Sequence, residues 1–206
     1  MSGYADGTGA AAAFNQPAGI AIDASGNLFV ADLGNFTIRK ITPAAVVTTL
    51  AGNPLVKSVS DGIGKSAFFF SPFAIIVDAN DTLYVADSNA VRKVTASGSV
   101  TTLAGSVSQP GYADGPGSTA LFNYIRGIAF GPSGSLLVSD FFNRAVRQIS
   151  SSRQVSTVAG VAGEQGVRLG PLPTTLNGPT GLVYLWPTLY VIDGRENSVL
   201  AVSGIF

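Results

Sequence analysis

A five-residue motif, which we call the phrase, occurs four times in this chain. It is an apolar run that ends in one aspartate. The copies lie at residues 28–32, 83–87, 136–140 and 189–193. Their closing aspartates are 55, 53 and 53 residues apart. A period of this length is typical of repeated supersecondary units, such as those of a solenoid, a propeller or an array.

Aligned on this phrase, the sequence divides into four units of one domain, at about 3–52, 53–105, 106–160 and an incomplete 161–206. In the first unit, residues 17–23, 28–32, 37–41 and 46–52 read as four short strands separated by turn residues. Little of the chain has helical periodicity. Because a four-stranded sheet with two apolar faces has to bury both, we predict an all-β fold of stacked, antiparallel propeller blades.

Composition argues against several classes of function. Only 12% of the residues are charged, and the formal net charge is zero, so we expect neither a nucleic-acid partner nor a basic membrane-binding surface. The chain contains no Cys and no His, which removes the commonest nucleophile–base pairs and metal ligands. No signal peptide is recognisable at the N-terminus as given, and no apolar run is long enough for a membrane helix. These features do not determine the cellular compartment of the protein.

Three motifs carry a family resemblance. They are Asp-Gly-x-Gly-x-x-Ala-x-Phe at 6–14, Pro-x-Gly-Ile-Ala-x-Asp at 17–23, and an apolar phrase at 28–41 that ends in Ile-Arg-Lys-Ile. With the Val-Thr-Thr-Leu-Ala-Gly strand that follows, they resemble NHL repeats, over units one to three and more loosely over unit four. The resemblance implies a β-propeller, usually of about six blades, that binds proteins or other ligands through one face. A few related propellers are metal-dependent lyases or lactonases.

The fourth unit departs from this pattern. It keeps the phrase but lacks the last strand of the repeat, and its linking loop, 161–177, has lost the Asp-Gly-x-Gly pattern. We therefore expect four blades in an open arc, or as part of a larger ring of about six. An open arc exposes the apolar faces of its terminal blades, so we also expect self-association through them.

The four aspartates that end the phrase, Asp32, Asp87, Asp140 and Asp193, are candidate metal ligands. A ring of carboxylates could hold Ca²⁺, which prefers oxygen ligands. The alternative, which we favour, is structural: each aspartate accepts backbone N–H groups in its hairpin or pairs with Arg39, Arg92 or Arg147. A residue that is the same in every repeat suits a structural role better than an asymmetric catalytic site.

Residues that break the repeat are the better candidates for ligand binding. We select Tyr124, Arg126, Phe141, Phe142 and Arg195, and place Arg126 just before the first strand of unit three. All five are expected on the rim that the second hairpins and linking loops form, and exposed aromatic and arginine side chains favour binding. The alternative is that Phe141 and Phe142 have only a structural role and cover a blade edge.

Together these features predict a non-enzymatic binding module for a protein or a small ligand, without a required cofactor. The alternative is a fragment of a Ca²⁺-dependent propeller hydrolase or lyase of the lactonase kind. The sequence does not decide whether the protein is an enzyme, although the missing residue types favour binding.

Overall fold

The computed structural model of this chain describes residues 2–168 and 174–205, and these fold almost entirely into β-strands. The chain divides into two compact units, Met1–Thr102 and Leu103–Phe206, with the boundary inside one strand. The helical segments of the described residues are short 3₁₀ turns at Gly9–Ala11, Leu33–Asn35, Gly64–Ser66 and Pro132–Gly134. None of the described helical segments has the length and apolar character needed to cross a membrane.

The first unit contains two five-stranded antiparallel sheets. The first sheet is formed by β1 (Gly7–Thr8), β2 (Pro17–Ile22), β3 (Leu28–Asp32), β4 (Thr37–Ile41) and β5 (Val46–Gly52), in the order β1-β5-β4-β3-β2. The second is formed by β6 (Gly62–Ile63), β7 (Pro72–Val77), β8 (Leu83–Asp87), β9 (Ala90–Val94) and β10 (Ser99–Gly105), in the order β6-β10-β9-β8-β7.

The second unit contains a five-stranded and a three-stranded antiparallel sheet. The five strands are β11 (Gly115–Pro116), β12 (Ile125–Phe130), β13 (Leu136–Asp140), β14 (Ala145–Ile149) and β15 (Gln154–Ala159), in the order β11-β15-β14-β13-β12. The three are β16 (Pro179–Leu185), β17 (Thr188–Asp193) and β18 (Ser198–Ser203), in chain order. The all-β fold of four antiparallel propeller blades is thus confirmed, and we call the sheets blades 1 to 4.

Several strand bounds agree with the sequence prediction, since β3, β4 and β5 coincide with 28–32, 37–41 and 46–52. The first strand ends one residue early, at Ile22, because the carboxylate of Asp23 accepts the N–H groups of Ser25 and Asn27 and turns the chain. The sequence predicted four strands per blade, but the linking loop contributes a fifth. Its residues Gly7 and Thr8 pair with β5.

Blades pack face to face within each unit. In the first unit, Phe29 and Ile38 of blade 1 share a buried core with Ile75 and Val85 of blade 2. In the second unit, Leu137 and Val146 of blade 3 share a core with residues of blade 4 that include Leu189 and Val191. Each of these phrases therefore supplies blade packing through its apolar residues, which point to alternate faces of the sheet.

The first strands of neighbouring blades approach closely at a glycine. In the second unit, a Cβ on Gly127 would collide with the backbone carbonyl of Thr180 and lie 2.9 Å from Oγ of Ser139. At the same repeat position of blade 4, a Cβ on Gly181 would meet only the side chain of Ile192. Only glycine allows the backbone contact at Gly127.

We expect Gly127→Ala to lower the free energy of unfolding by about 1–3 kcal/mol, the usual cost of an overpacked core. The matched control is Gly181→Ala, because a flexible side chain can move aside there and both changes reduce unfolded-state entropy alike. Urea denaturation of the two variants measures the difference. Equal stabilities would contradict the close approach at Gly127.

Candidate functional site

Each of the first three blades contains a fully buried arginine that joins two carboxylates. In blade 1, Arg39 on β4 donates from Nη1 to Asp32, at 2.9 Å, and from Nη2 to Asp6 in the linking loop, at 2.8 Å. The same two nitrogens donate to the backbone carbonyls of Ala13 and Ala5. We call this set of three charged residues the arginine bracket.

The arginine bracket recurs at the same place in blades 2 and 3. Its members there are Arg92 with Asp87 and Asp61, and Arg147 with Asp140 and Asp114. In every case the phrase aspartate is buried and the loop aspartate is about half exposed. A buried guanidinium with two carboxylates and two carbonyls has nearly all its donors satisfied, which offsets its desolvation.

The phrase aspartates also accept backbone N–H groups. Asp32 accepts the N–H of Asn15 at 2.8 Å, Asp87 that of Ser71 at 2.6 Å, and Asp140 that of Asn123 at 2.7 Å. These donors lie in the loop just before the first strand of each blade. One carboxylate therefore ties the hairpin, the third strand and the linking loop together.

Blade 4 holds its aspartate in a different way. Leu200 stands where the other blades have the bracket arginine, and the linking loop 161–177 contains no aspartate. Asp193 instead accepts the N–H groups of Asn177 and Gly178, at 2.7 and 2.9 Å. The arginine and its loop aspartate are thus missing together, as expected if each is needed to compensate the other.

Burial and hydrogen bonding compete in setting the pKa values of these groups. Burial raises the pKa of Asp140 to about 6, against hydrogen bonds from Asn143, the N–H of Asn123 and Arg147. Burial likewise raises the pKa of Asp87, although Ser71 and Arg92 oppose it. At Asp6, burial also disfavours the charged form, but hydrogen bonds from Thr49 and Arg39 outweigh it and lower the pKa.

The oxygens of the four candidate metal ligands are already engaged in hydrogen bonds. The carboxylate oxygens of Asp32, Asp87, Asp140 and Asp193 already face N–H donors, and a cation would have to replace those donors. Within 2–168 and 174–205, no three acidic side chains are grouped so that they could hold a metal ion.

The five residues selected for ligand binding lie together in the second unit. The guanidinium carbon of Arg126 is 4.2 Å from the ring centroid of Phe141, and that of Arg195 is 4.7 Å from the same centroid. Phe142 packs edge-on against Phe141 at 5.0 Å and lies 5.7 Å from Tyr124. We call Tyr124, Arg126, Phe141, Phe142 and Arg195 the rim cluster.

Two hairpins position the rim cluster. Phe141 and Phe142 directly follow Asp140, and their N–H groups donate to the carbonyls of Tyr124 and Asn123. Arg195 lies in the blade 4 hairpin, where its N–H donates to Asp193. The cluster therefore lies beside two of the aspartates that were candidate metal ligands, and one of them, Asp193, contacts it directly.

The position of Arg126 corrects the sequence prediction, which placed this residue just before the first strand of its unit. It lies inside β12, where the register with β13 shifts between Ile125 and Gly127. This β-bulge lets the strand begin at Ile125, and the side chain of Arg126 reaches the rings of Tyr124 and Phe141.

Exposure within the rim cluster is uneven. Phe141 is buried, which suits the interpretation that it covers a blade edge, whereas Phe142 is 49% exposed. Arg195 is also exposed. A buried ring between two guanidinium groups, with an exposed ring beside it, forms a surface with both positive charge and apolar area.

Sequence reasoning missed two features outside the rim cluster. The loop aspartates of the bracket, Asp6, Asp61 and Asp114, were assigned no role beyond the Asp-Gly-x-Gly pattern of the repeat, although they precede their arginines by a regular 33, 31 and 33 residues. Lys57 was also missed; its Nζ lies 4.5 Å from the ring centroid of Phe70 and 5.6 Å from that of Phe36. The signal for Phe70 was the run of three phenylalanines that breaks the repeat.

We expect Arg92→Leu to lower the free energy of unfolding by about 3–5 kcal/mol, because the change leaves the buried carboxylate of Asp87 without its charged partner. The control is Lys93→Leu, one residue along the same strand and outside the bracket. Urea denaturation measures both. A loss at Arg92 no larger than that at Lys93 would show that the bracket does not hold the blade.

Comparisons with known proteins agree with this architecture. Residues 14–41 match the NHL repeat family model. No curated protein matches the sequence. Three of the solved structures that match are described below; each is 22% identical or less, which shows a shared fold alone.

The first is a structural genomics protein of unknown function from Bacteroides thetaiotaomicron, with a TM-score of 0.75 and 22% identity over 92% of this chain and 47% of that one. The second is an auxiliary nutrient binding protein from the same species, with a TM-score of 0.71 and 15% identity over 88% and 46%. The third is a catalytically inactive virginiamycin B lyase from Staphylococcus aureus, with a TM-score of 0.60 and 14% identity over 92% and 53%. The chain spans about half the length of these structures. Residues 14–41 thus match an NHL repeat, and they lie in a fold of four β-propeller blades.

Proposed function

We propose that this chain is a non-enzymatic binding module, which recognises a protein or a small ligand through the rim cluster. One observation carries the proposal: five residues that break the repeat converge on one surface. Arg126 and Tyr124 come from blade 3, Phe141 and Phe142 from its hairpin, and Arg195 from blade 4. Residues needed only for the blade fold have no reason to differ in this concerted way.

The chemistry of the rim cluster favours a ligand with an anionic group beside an apolar or aromatic one. Two guanidinium groups lie within 5 Å of the ring of Phe141, so positive charge is concentrated at a partly apolar surface. Glu196, on the same hairpin as Arg195, is already engaged by the side-chain amide of Asn177. Aromatic and arginine side chains on a preformed surface are typical of binding sites.

The nutrient binding protein among the similar structures supports a binding role for this fold, and the lyase supports the alternative of a fragment of a metal-dependent enzyme. For this chain, the hydrogen bonds around the four phrase aspartates favour binding over the calcium-dependent alternative. A lyase or hydrolase activity stays the second candidate.

Sodium benzoate is a suitable probe, since it joins a carboxylate to an aromatic ring. In an NMR titration we expect benzoate to shift the backbone resonances of Phe142 and Arg195. Arg195→Ala should weaken its binding about tenfold, which corresponds to about 1.4 kcal/mol. The control is Arg168→Ala, a highly exposed arginine outside the cluster.

Phe142→Ala should weaken benzoate binding as well, because it removes the exposed ring of the cluster. Shifts that map to other parts of the chain, or equal affinity of the Arg195 and Arg168 variants, would contradict the proposed site. Benzyl alcohol, which lacks the carboxylate, should bind more weakly than benzoate if the arginines contribute.

A further inference from the structure

Each blade has two faces that can be told apart by the packing inside the units. The forward face points to the next blade: in blade 1 it carries Phe29 and Ile38, which pack on blade 2. The rear face points to the preceding blade: in blade 4 it carries Leu189 and Val191, which pack on blade 3. A forward face thus covers a rear face in both units.

The forward face of blade 4 is apolar and exposed. Its residues line a groove of about 540 Å³; they include Val183, Leu185, Tyr190, Ile192 and Val199. Val199 is 68% exposed, whereas Ile38 at the same repeat position of blade 1 is fully buried. Side chains that other blades bury therefore lie at the surface here.

Part of the rear face of blade 1 is exposed as well, at Ile20 and Ile22. Its residues Ile20, Val30 and Ile41 line a groove of about 310 Å³, together with Phe14. Ile20 is 63% exposed, whereas Ile75 at the same position of blade 2 is 4% exposed. An unpaired rear face thus accompanies an unpaired forward face.

The forward face of blade 4 differs at one position from the forward faces of blades 1 and 3. Ile192 stands on the forward face of blade 4 where blades 1 and 3 have the smaller Ala31 and Ser139. Gly181, the glycine of close approach in blade 4, has no backbone among its three nearest neighbours.

We propose that the forward face of blade 4 binds the rear face of blade 1 of a second copy of this chain, head to tail. The contact repeats the forward-to-rear packing that both units already use, so its apolar residues enter surroundings like those of their buried counterparts. It joins two different surfaces, which makes it a heterologous contact.

A complementation experiment tests this contact. Val199→Lys blocks the forward face of blade 4, and Ile20→Lys blocks the rear face of blade 1; both positions are exposed, so the blades keep their cores. By size-exclusion chromatography with light scattering, we expect the unchanged chain to have a mass above that of one copy, rising with concentration. Each variant alone should be a monomer, and their equimolar mixture should form a one-to-one dimer.

Leu55→Lys is the control, because this exposed side chain lies in a loop away from both faces and its loss should leave the mass unchanged. An unchanged chain that stays monomeric at every concentration would overturn the proposal. So would an Ile20 variant that still self-associates, because that result would show forward faces pairing with each other. Circular dichroism of each variant confirms that the blades remain folded.

Discussion

The arginine bracket is the interaction on which the rest of the structure depends. A buried guanidinium is costly to desolvate, and it is stable only when carboxylates and carbonyls surround it. Arg39 meets this demand by reaching Asp32 on its own sheet and Asp6 in the linking loop. The loop is thereby fixed to the blade, and its residues Gly7 and Thr8 can pair with β5.

Blade 4 folds without the bracket arginine, and the comparison indicates what the bracket contributes to the other blades. There Leu200 replaces the arginine, and Asp193 is held by backbone N–H groups. An apolar residue can thus fill the arginine's place in a sheet, which agrees with the modest net contribution of buried ion pairs to stability. Removing one partner of a bracket should still be costly, because a buried charge is then left unpaired, whereas blade 4 has replaced the arginine and the loop aspartate together. What the bracket adds is the fixed position of the linking loop.

Two of the phrase aspartates, Asp140 and Asp193, begin the hairpins that carry the rim cluster, the surface that we propose for binding. Phe141 and Phe142 follow Asp140 in its hairpin, and Arg195 follows Asp193, so the scaffold holds the rim cluster without using its exposed side chains. Variation at hairpin positions leaves the packing of the strands intact. A repeat fold can in this way acquire a local binding surface while its blades stay alike.

Strand periodicity and turn residues predicted much of the fold, and long-range contacts account for what they missed. The strands 28–32, 37–41 and 46–52 could be predicted because short apolar and β-branched runs lie between turn residues. The pairing of Gly7 with Val47 could not, since a two-residue strand has no periodicity. The cluster residues were recognised as departures from the repeat, but the bulge at Arg126 and the contacts of Lys57 depend on neighbours distant in sequence.

Amide hydrogen exchange tests the central claim most directly, that a buried carboxylate holds the loop before each first strand. The N–H groups of Asn15 and Asn123 donate to Asp32 and Asp140 and take no part in a sheet ladder. The account predicts that they exchange about as slowly as strand amides such as that of Val138. Exchange at the rate of an unprotected peptide amide would contradict it.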